Sequence, residues 1–281
     1  MKKRKKIGLA LGSGGIRGLA HIGVIKKLIE HNIPIDYIAG SSIGAWVGAH
    51  YALFQDIKKL EEYTIGKNKE KFFSMVEPTA SGGLIKGEKI EKLLEEWLQN
   101  AQFSDTKIPL STVATDLISG QPFIFSEGSL ARGVRASISV PTMFAPVTIM
   151  NALLIDGGVS NPVPDDVVKH MGADIVISVN LDNWVKNEPF PKKYHERLPN
   201  IASRSLNIMR HNLARRSMVS SDIIVEPYTP AVGLTGITDF LTKHTDRVLI
   251  KNGAEEMEKY IPQLRELLGK NTFVEADNTE C

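Results

Sequence analysis

Ser42 sits at the centre of Gly40-Ser41-Ser42-Ile43-Gly44, a G-x-S-x-G pattern between an apolar run and a strongly apolar stretch of helical character. A strand-to-helix junction is the context in which this pattern makes a nucleophile elbow. The tight turn forces the central serine into a strained, accessible position, and the flanking Gly40 and Gly44 leave room for the backbone and an incoming ester. The N-terminus of the following helix adds unpaired N–H groups and a positive field that favours negative charge on oxygen. The bare pattern is common, since glycine and serine are ordinary turn residues, so the flanking elements give it its meaning.

A serine nucleophile needs a base and a place for the negative charge it creates. The turn Gly12-Ser-Gly-Gly-Ile-Arg-Gly18 also lies between a strand and a helix. As a dinucleotide fingerprint, G-x-G-x-x-G counted from Gly12 would put glycine where Arg17 stands, and Asp36 precedes the core of the second strand, where a ribose contact is poorly placed. As an oxyanion hole, the backbone N–H groups of consecutive glycines point into one small space, with Arg17 as a nearby positive charge. A turn that merely packs helix on strand is the third reading.

For the base, the histidines downstream are His50, His170, His195, His211 and His244. None follows a short apolar strand into a distinctive glycine loop, and each reads as a surface or helix histidine. Ser42 also comes earlier than the hydrolase order Ser, Asp or Glu, His would place it in a fold where several strands precede the elbow. A desolvated carboxylate can serve instead. Asp156 has the best context, because the apolar run Leu153-Leu-Ile delivers it to the double-glycine turn Gly157-Gly158.

Stepping outward, the chain alternates. Ile7 to Leu11 suits a buried strand, Ile16 to Ile29 an amphipathic helix, Ile35 to Ala39 a second strand and Ile43 to Phe54 a buried helix. Strand, glycine turn and helix, repeated, imply parallel strands with right-handed crossovers. Further along, Glu88–Leu98 reads as a helix, and Leu110–Thr115 with Pro122–Phe125 as a hairpin turning at Ser119-Gly120-Gln121. Asp174–Asn180 reads as a buried strand, residues 183–200 as a loop, Leu198–Met218 as a helix and Ile223–Glu226 as a strand. Arg247–Leu268 reads as a terminal helix bent at Pro262.

The composition is that of a globular chain: 281 residues, 42% hydrophobic and 23% charged, with a net charge of +2. That balance excludes a general nucleic-acid binder, and no nucleic-acid partner is expected. The one cysteine, Cys281, is terminal, which excludes an intramolecular disulfide and favours a reducing compartment. The basic cluster Lys2, Lys3, Arg4, Lys5 and Lys6 precedes an apolar run of five residues, too short for a secretory core, and no uncharged stretch approaches a membrane span. We therefore expect a cytoplasmic protein, with the cluster as either a solvated tail or a peripheral contact with anionic membrane. No ligand spacing for a metal is present, so neither metal nor other cofactor is expected.

Four blocks, in order over residues 7–181, together resemble the bacterial patatin-like phospholipases. They are Gly12-Ser-Gly-Gly-Ile-Arg-Gly-Leu-Ala-His-Ile-Gly-Val24, Ile38-Ala-Gly-Ser-Ser-Ile-Gly-Ala45, Ala136-Ser-Ile-Ser-Val-Pro-Thr-Met-Phe-Ala-Pro146 and Leu154-Ile-Asp-Gly-Gly-Val-Ser-Asn-Pro162. The resemblance implies an α/β fold: a parallel-sheet sandwich with helices on both faces, in a single domain. It implies a Ser42–Asp156 dyad that needs no histidine, an oxyanion block of Gly14, Gly15, Arg17 and Gly18, and hydrolysis of a lipid or other acyl ester. Ser13 and the second glycine of Asp-Gly-Gly depart from the commoner G-G-G and Asp-Gly-Ala, and both leave the chemistry in register. Residues 7–270 would form the domain, with a motif-bearing core over 7–181 and a variable part over 182–270. The basic tail 1–6 and polar tail 271–281 flank it. The apolar segment Ser137–Pro146 is a candidate lining for an acyl channel or a core loop. A lipid-binding protein without turnover and a nucleotide-binding oxidoreductase are the competing classes.

Overall fold

The computed structural model describes residues 4–64, 87–141, 143–183, 198–229 and 245–269. In chain order the strands are β1 (Ile7–Leu11), β2 (Tyr37–Ser41), β3 (Leu110–Asp116), β4 (Pro122–Phe125), β5 (Val147–Ile149), β6 (Ala152–Asp156), β7 (Ile175–Val179) and β8 (Ile223–Val225). The helices are α1 (Leu19–Glu30), α2 (Ile43–Phe54), α3 (Ile57–Thr64), α4 (Glu88–Trp97), α5 (Leu130–Ser137), α6 (Asp165–His170), α7 (Leu198–Ser217), α8 (Thr245–Glu258) and α9 (Ile261–Leu268).

All the described strands join one sheet. Its centre is parallel, as the alternation predicts: β3, β2, β1, β7 and β8 run side by side in that order. The sheet is nevertheless mixed, because β4 and β6 run antiparallel to β3 and β5 antiparallel to β6. These are the strands joined by short turns, which antiparallel pairing allows and parallel pairing does not.

The register around β3 positions the site. Thr112 and Val113 pair with Gly40 and Ser41 of β2 and also with Phe125 and Ile124 of β4, so those strands flank β3 on opposite sides. Ala114 pairs with both Phe123 of β4 and Asp156 of β6. It follows that β6 occupies the side of β3 that β2 vacates. β2 ends opposite Val113, and β6 arrives head-on opposite Ala114, so Ser42 and Asp156 meet although 114 residues separate them.

Side chains alternate between two faces of unequal depth. Leu9, Leu11, Ile38, Ile175, Ile177 and Val179 enter the larger core, with α1, α2, α4, α5, α8 and α9. The other face offers Ala10, Ala39, Val113 and Val176 to α6 and the end of α7. Small residues bring α6 close: a Cβ on Gly8 would lie 2.9 Å from the Val168 side chain of that helix.

Several boundaries differ from the sequence reading. β2 is shifted by two residues, to Tyr37–Ser41, because Gly40 pairs in the ladder with Leu11 and Thr112 and the turn begins only at Ser42. The first turn of the Ile16–Ile29 segment is a 3-10 turn, Gly15–Gly18. The terminal segment is two helices, parted at Lys259-Tyr260, with Pro262 in the first turn of α9 where its missing N–H costs nothing. Helices α3, α5 and α6 and strand β5 were not read from the sequence. Of the proposed loop 183–200, residues 184–197 lie outside the described residues, as does the tail 271–281.

Candidate active site

At Ser42 the backbone adopts φ 55°, ψ −123°, a region an L-residue enters at a cost of ~1–3 kcal/mol. The elbow is held by contacts on every side. Ser42 N–H donates to Ser137 Oγ (2.8 Å), whose own hydroxyl donates to Val113 O (2.6 Å). A Cβ at Gly44 would fall on the Leu11 carbonyl, and one at Gly40 would lie 2.5 Å from the Ala45 backbone. Gly40 and Gly44 are therefore required by close packing of elbow on sheet, as the motif predicts.

Ser42 Oγ donates to Asp156 Oδ2 at 2.5 Å, while the other oxygen, Oδ1, accepts from Gly158 N–H at 2.8 Å. The Asp156 backbone is fixed at both ends, its N–H donating to Ser139 O and its carbonyl accepting from Thr115 Oγ1. Ser42 and Asp156 are only 5% and 6% exposed. Burial pushes the Asp156 carboxyl up to about 6, although the hydrogen bonds from Ser42 and Gly158 pull the other way. A carboxylate tuned near neutrality and in contact with a serine hydroxyl is able to accept its proton and return it. Gly157 is packed against Val113 O and Ser41, and Gly158 against Ser13, so the Asp-Gly-Gly turn abuts both glycine turns.

The first glycine turn closes the site. Gly12 N–H bonds Val179 O and Ser13 N–H bonds Pro162 O. His21, held neutral because burial lowers its pKa to about 4, donates from Nε2 to Gly12 O at 2.7 Å. Gly14 packs on the Leu181 side chain. Gly15 has φ 57° and faces open space, with nothing within 4 Å of where its Cβ would be. Gly18 packs against Ile43, the residue after the candidate nucleophile.

Arg17 is buried, and its guanidinium is turned onto the protein. Nε donates to Gly14 O (3.1 Å), Nη1 to Leu181 O (2.5 Å) and Nη2 to Asp182 Oδ1 (3.0 Å). In a trans peptide the C=O and the following N–H point in opposite directions, so an arginine that fixes Gly14 O also fixes the direction of Gly15 N–H. Asp182 is the anchor. It also receives Arg210 of α7, from Nε at 2.9 and 3.0 Å and Nη2 at 2.8 Å, and Ser13 Oγ at 3.4 Å. Burial would raise the Asp182 carboxyl, but the charges and hydrogen bonds of Arg210 and Arg17 outweigh it and hold the group below the usual carboxylate range. His211 Nδ1 bonds the Asp182 carbonyl.

Ser137, Asp182 and Arg210 have no place in the site as read from the sequence, and His211, set aside there as a surface or helix histidine, is a buried helix residue bonded to Asp182. Ser137 lay within a quoted block and could have been singled out there, whereas an aspartate two residues past a strand and an arginine on a distant helix carry no local signature. Asp36, weighed as a ribose ligand, is taken by Arg4 (2.6 Å) and Lys6 (3.0 Å) at the opposite end of the strands. Among the described histidines, His50 packs on Phe54 and Tyr63, His170 bonds Asp166 O in its own helix, and none bonds Ser42. His195 and His244 lie outside the described residues. In Ser137–Pro146, Phe144 is in the core and Met143 packs against it. No group of three or more metal-ligating side chains occurs among the described residues, and no described helix is long and apolar enough to cross a membrane. An open cleft of about 600 Å³ is lined by Tyr37, Pro109, Leu110 and Met171, at the start of β2 and β3 and away from Ser42.

Fold and site together define an α/β protein with a serine–carboxylate pair at a strand-to-helix elbow. Residues 9–168 match the patatin-like phospholipase family, and the chain belongs to it. An uncharacterized NTE family protein of Mycobacterium tuberculosis is 35% identical over 205 residues, 73% of this chain and 55% of that protein. Lysophospholipase nte1 of Aspergillus fumigatus is 31% identical over 191 residues, 66% of this chain and 12% of that protein. The chain thus spans about half the mycobacterial relative and a small part of the fungal one. VipD from Legionella pneumophila shares the fold, with a TM-score of 0.62 over 93% of this chain and 67% of VipD at 14% identity.

Proposed function

We propose that the protein is a lipid acyl-ester hydrolase in which Ser42 is the nucleophile and Asp156 its general base. The observation that carries the reading is the 2.5 Å contact between Ser42 Oγ and a buried Asp156 whose carboxyl titrates near 6. Asp156 Oδ2 takes the Ser42 proton as Oγ attacks the ester carbonyl. The tetrahedral oxyanion forms against the N–H groups of Gly14 and Gly15, with Arg17 and Gly18 as the supports that hold this turn in place. Collapse breaks the bond to the leaving alcohol, which recovers the proton from Asp156 and leaves Ser42 acylated. Water, deprotonated by Asp156, then attacks the acyl carbon, and the fatty acid departs as Ser42 regains its proton. The Ser42 proton leaves on the alcohol and is replaced by one from the water, so ester and water are the only reactants consumed.

A relative named as a lysophospholipase makes lysophospholipids the first substrate class to try. We read residues 7–270 as one domain, since β7, β8 and Arg210 complete the sheet and the anchoring of the glycine turn. A membrane role for Lys2–Lys6 has less support. Arg4 and Lys6 are paired with Asp36, and Lys5 donates to Leu267 O. The reading is tested with a panel of lysophospholipid, phospholipid, triacylglycerol and short-chain esters. Fatty-acid release from at least one, abolished in Ser42→Ala and in Asp156→Asn, is expected; release that survives Ser42→Ala overturns it.

A further inference from the structure

The first glycine turn, the Asp-Gly-Gly turn and the Asp182 anchor meet at one side chain, Ser13. It is buried, and its N–H donates to Pro162 O at 2.8 Å, which ties it to the chain beyond the Asp-Gly-Gly turn. Its Oγ donates to Asp182 Oδ2 at a long 3.4 Å. Its third contact is with Gly158. A Cβ built on Gly158 would lie 2.9 Å from both Cβ and Oγ of Ser13, and 2.9 Å from Asp156 Oδ1. Ser13 thus touches the turn that carries Asp156 on one side and the carboxylate that anchors Arg17 on the other.

The backbone at Gly158 does not ask for glycine. It lies inside the 3-10 turn Gly157–Val159 and has no positive φ, so an L-residue fits the conformation. What excludes a side chain there is contact. Ser13 cannot yield by rotating, because its Cβ is one bond from a backbone held by the Ser13 N–H on Pro162 O and the Gly12 N–H on Val179 O. A close-packed interior absorbs such an overlap only by a shift of the groups around it. A methyl at 158 must therefore displace either the first glycine turn or the Gly158 N–H, which holds Asp156 Oδ1 at 2.8 Å.

We propose that Ser13 is a positioning residue keyed against Gly158: the pair sets the spacing between the turn that holds the base and the turn that receives the oxyanion, and the gap admits one Cβ but not two. The Gly158 N–H supports the charged form of Asp156, so moving it away lets burial raise that carboxyl further. Asp156 is bonded by Ser42 and Gly158 N–H. At longer range Arg210 of α7 favours its charge and Asp182, beyond β7, opposes it. The catalytic meaning of the pair rests on the hydrolase reading; the packing does not.

The test is the rate at which a soluble fluorophosphonate labels Ser42 in the full chain as a function of pH, with urea unfolding of every variant. Gly158→Ala should slow labelling at pH 7 by about tenfold or more and move the acid-side midpoint upward from about 6. Ser13→Gly loses its hold on both turns and should slow the wild type by about threefold or more. Added to Gly158→Ala it should do the opposite, speeding labelling by about threefold or more and returning the midpoint toward the wild-type value. Ser13→Ala keeps the Cβ and should not rescue. Should Gly158→Ala fail to fold, Ser13→Gly must restore its cooperative urea transition and Ser13→Ala must not. The proposal is overturned if Gly158→Ala labels as the wild type does, if the two substitutions act additively, if Ser13→Ala rescues as well as Ser13→Gly, or if rates fall with the midpoint unmoved. A wild-type chain that is not labelled at Ser42 defeats the hydrolase reading and the positioning role with it. Labelling at Ser42 with additive losses defeats the keyed pair alone.

Discussion

The two ends of the parallel strands contrast in what they do with charge. At the start of β1 and β2, Asp36 is met by Arg4 and Lys6, which are 34% and 37% exposed, in a pairing that ties the chain entry to the sheet. At the other end a carboxylate, Asp182, is nearly sealed and shared by two arginines, and a second, Asp156, takes the Ser42 hydroxyl and the Gly158 N–H, with no cation bonded to it among the described residues. The first end spends its charges on holding structure in water. The second keeps one carboxylate ionised to anchor a turn and leaves the other near neutrality, where it can exchange a proton. Two buried carboxylates at this end are thus tuned in opposite directions, and burial alone does not decide which way each goes; the arginines do.

The contrast breaks most visibly by removing the chemistry. Ser42→Ala and Asp156→Asn should each lower kcat/KM by about 10³-fold or more, read with whichever ester the panel identifies. The next largest effect should come from Asp182→Ala, which leaves Arg17 buried without its counter-charge. Unfolding in urea should show a loss of about 3–5 kcal/mol, with a fall in kcat greater than the rise in KM as the Gly14–Gly15 peptide loses its brace.

The tuning of Asp156 can be read through pH in two ways. With a carboxyl titrating at about 6, kcat/KM should fall tenfold per pH step on the acid side of that value. Its folded pKa lies above the unfolded value of 3.8, so its contribution to stability is fully present below pH 3.8 and is lost as pH rises through 6. Asp156→Asn should therefore unfold at higher urea than wild type at pH 8, by about 1–3 kcal/mol, and show little gain at pH 4. The smallest effect belongs to the far end. Asp36, held at about 2 by Arg4, Ile7 N–H and Lys6 against the effect of burial, stabilises the fold above pH 3.8, and that share is lost as pH falls toward 2. Because its partners are partly exposed, Asp36→Asn should cost no more than about 1–2 kcal/mol at pH 7, with ester turnover unchanged.

Much of the candidate site is legible in the sequence because it is local. Gly40, Ser42, Gly44, Asp156, Gly157 and Gly158 lie at two strand ends and in the turns that follow them, where close backbone packing limits the residue types, and β1 and α2 begin and end where their apolar runs do. The rest depends on contacts between distant segments. Nothing near Asp182 announces that it will accept Arg17 from one side and Arg210 from the other. Helix α5 was hidden by Gly133, which looks like a breaker and is in fact a close approach to Phe103 and Thr112. Gly40 was read as the turn, although it pairs in the ladder on both sides. The basic run at Lys2–Lys6 is visible in the sequence, whereas the pairing of its Arg4 and Lys6 with Asp36 depends on the fold.

The central claim, that Ser42 is an activated nucleophile, is tested most directly by reacting the full chain with a fluorophosphonate and locating the adduct by peptide mass spectrometry. One adduct is expected, on Ser42, absent from Ser42→Ala and much slower to form in Asp156→Asn. Equal labelling of wild type and Ser42→Ala, or an adduct on another serine, would contradict it.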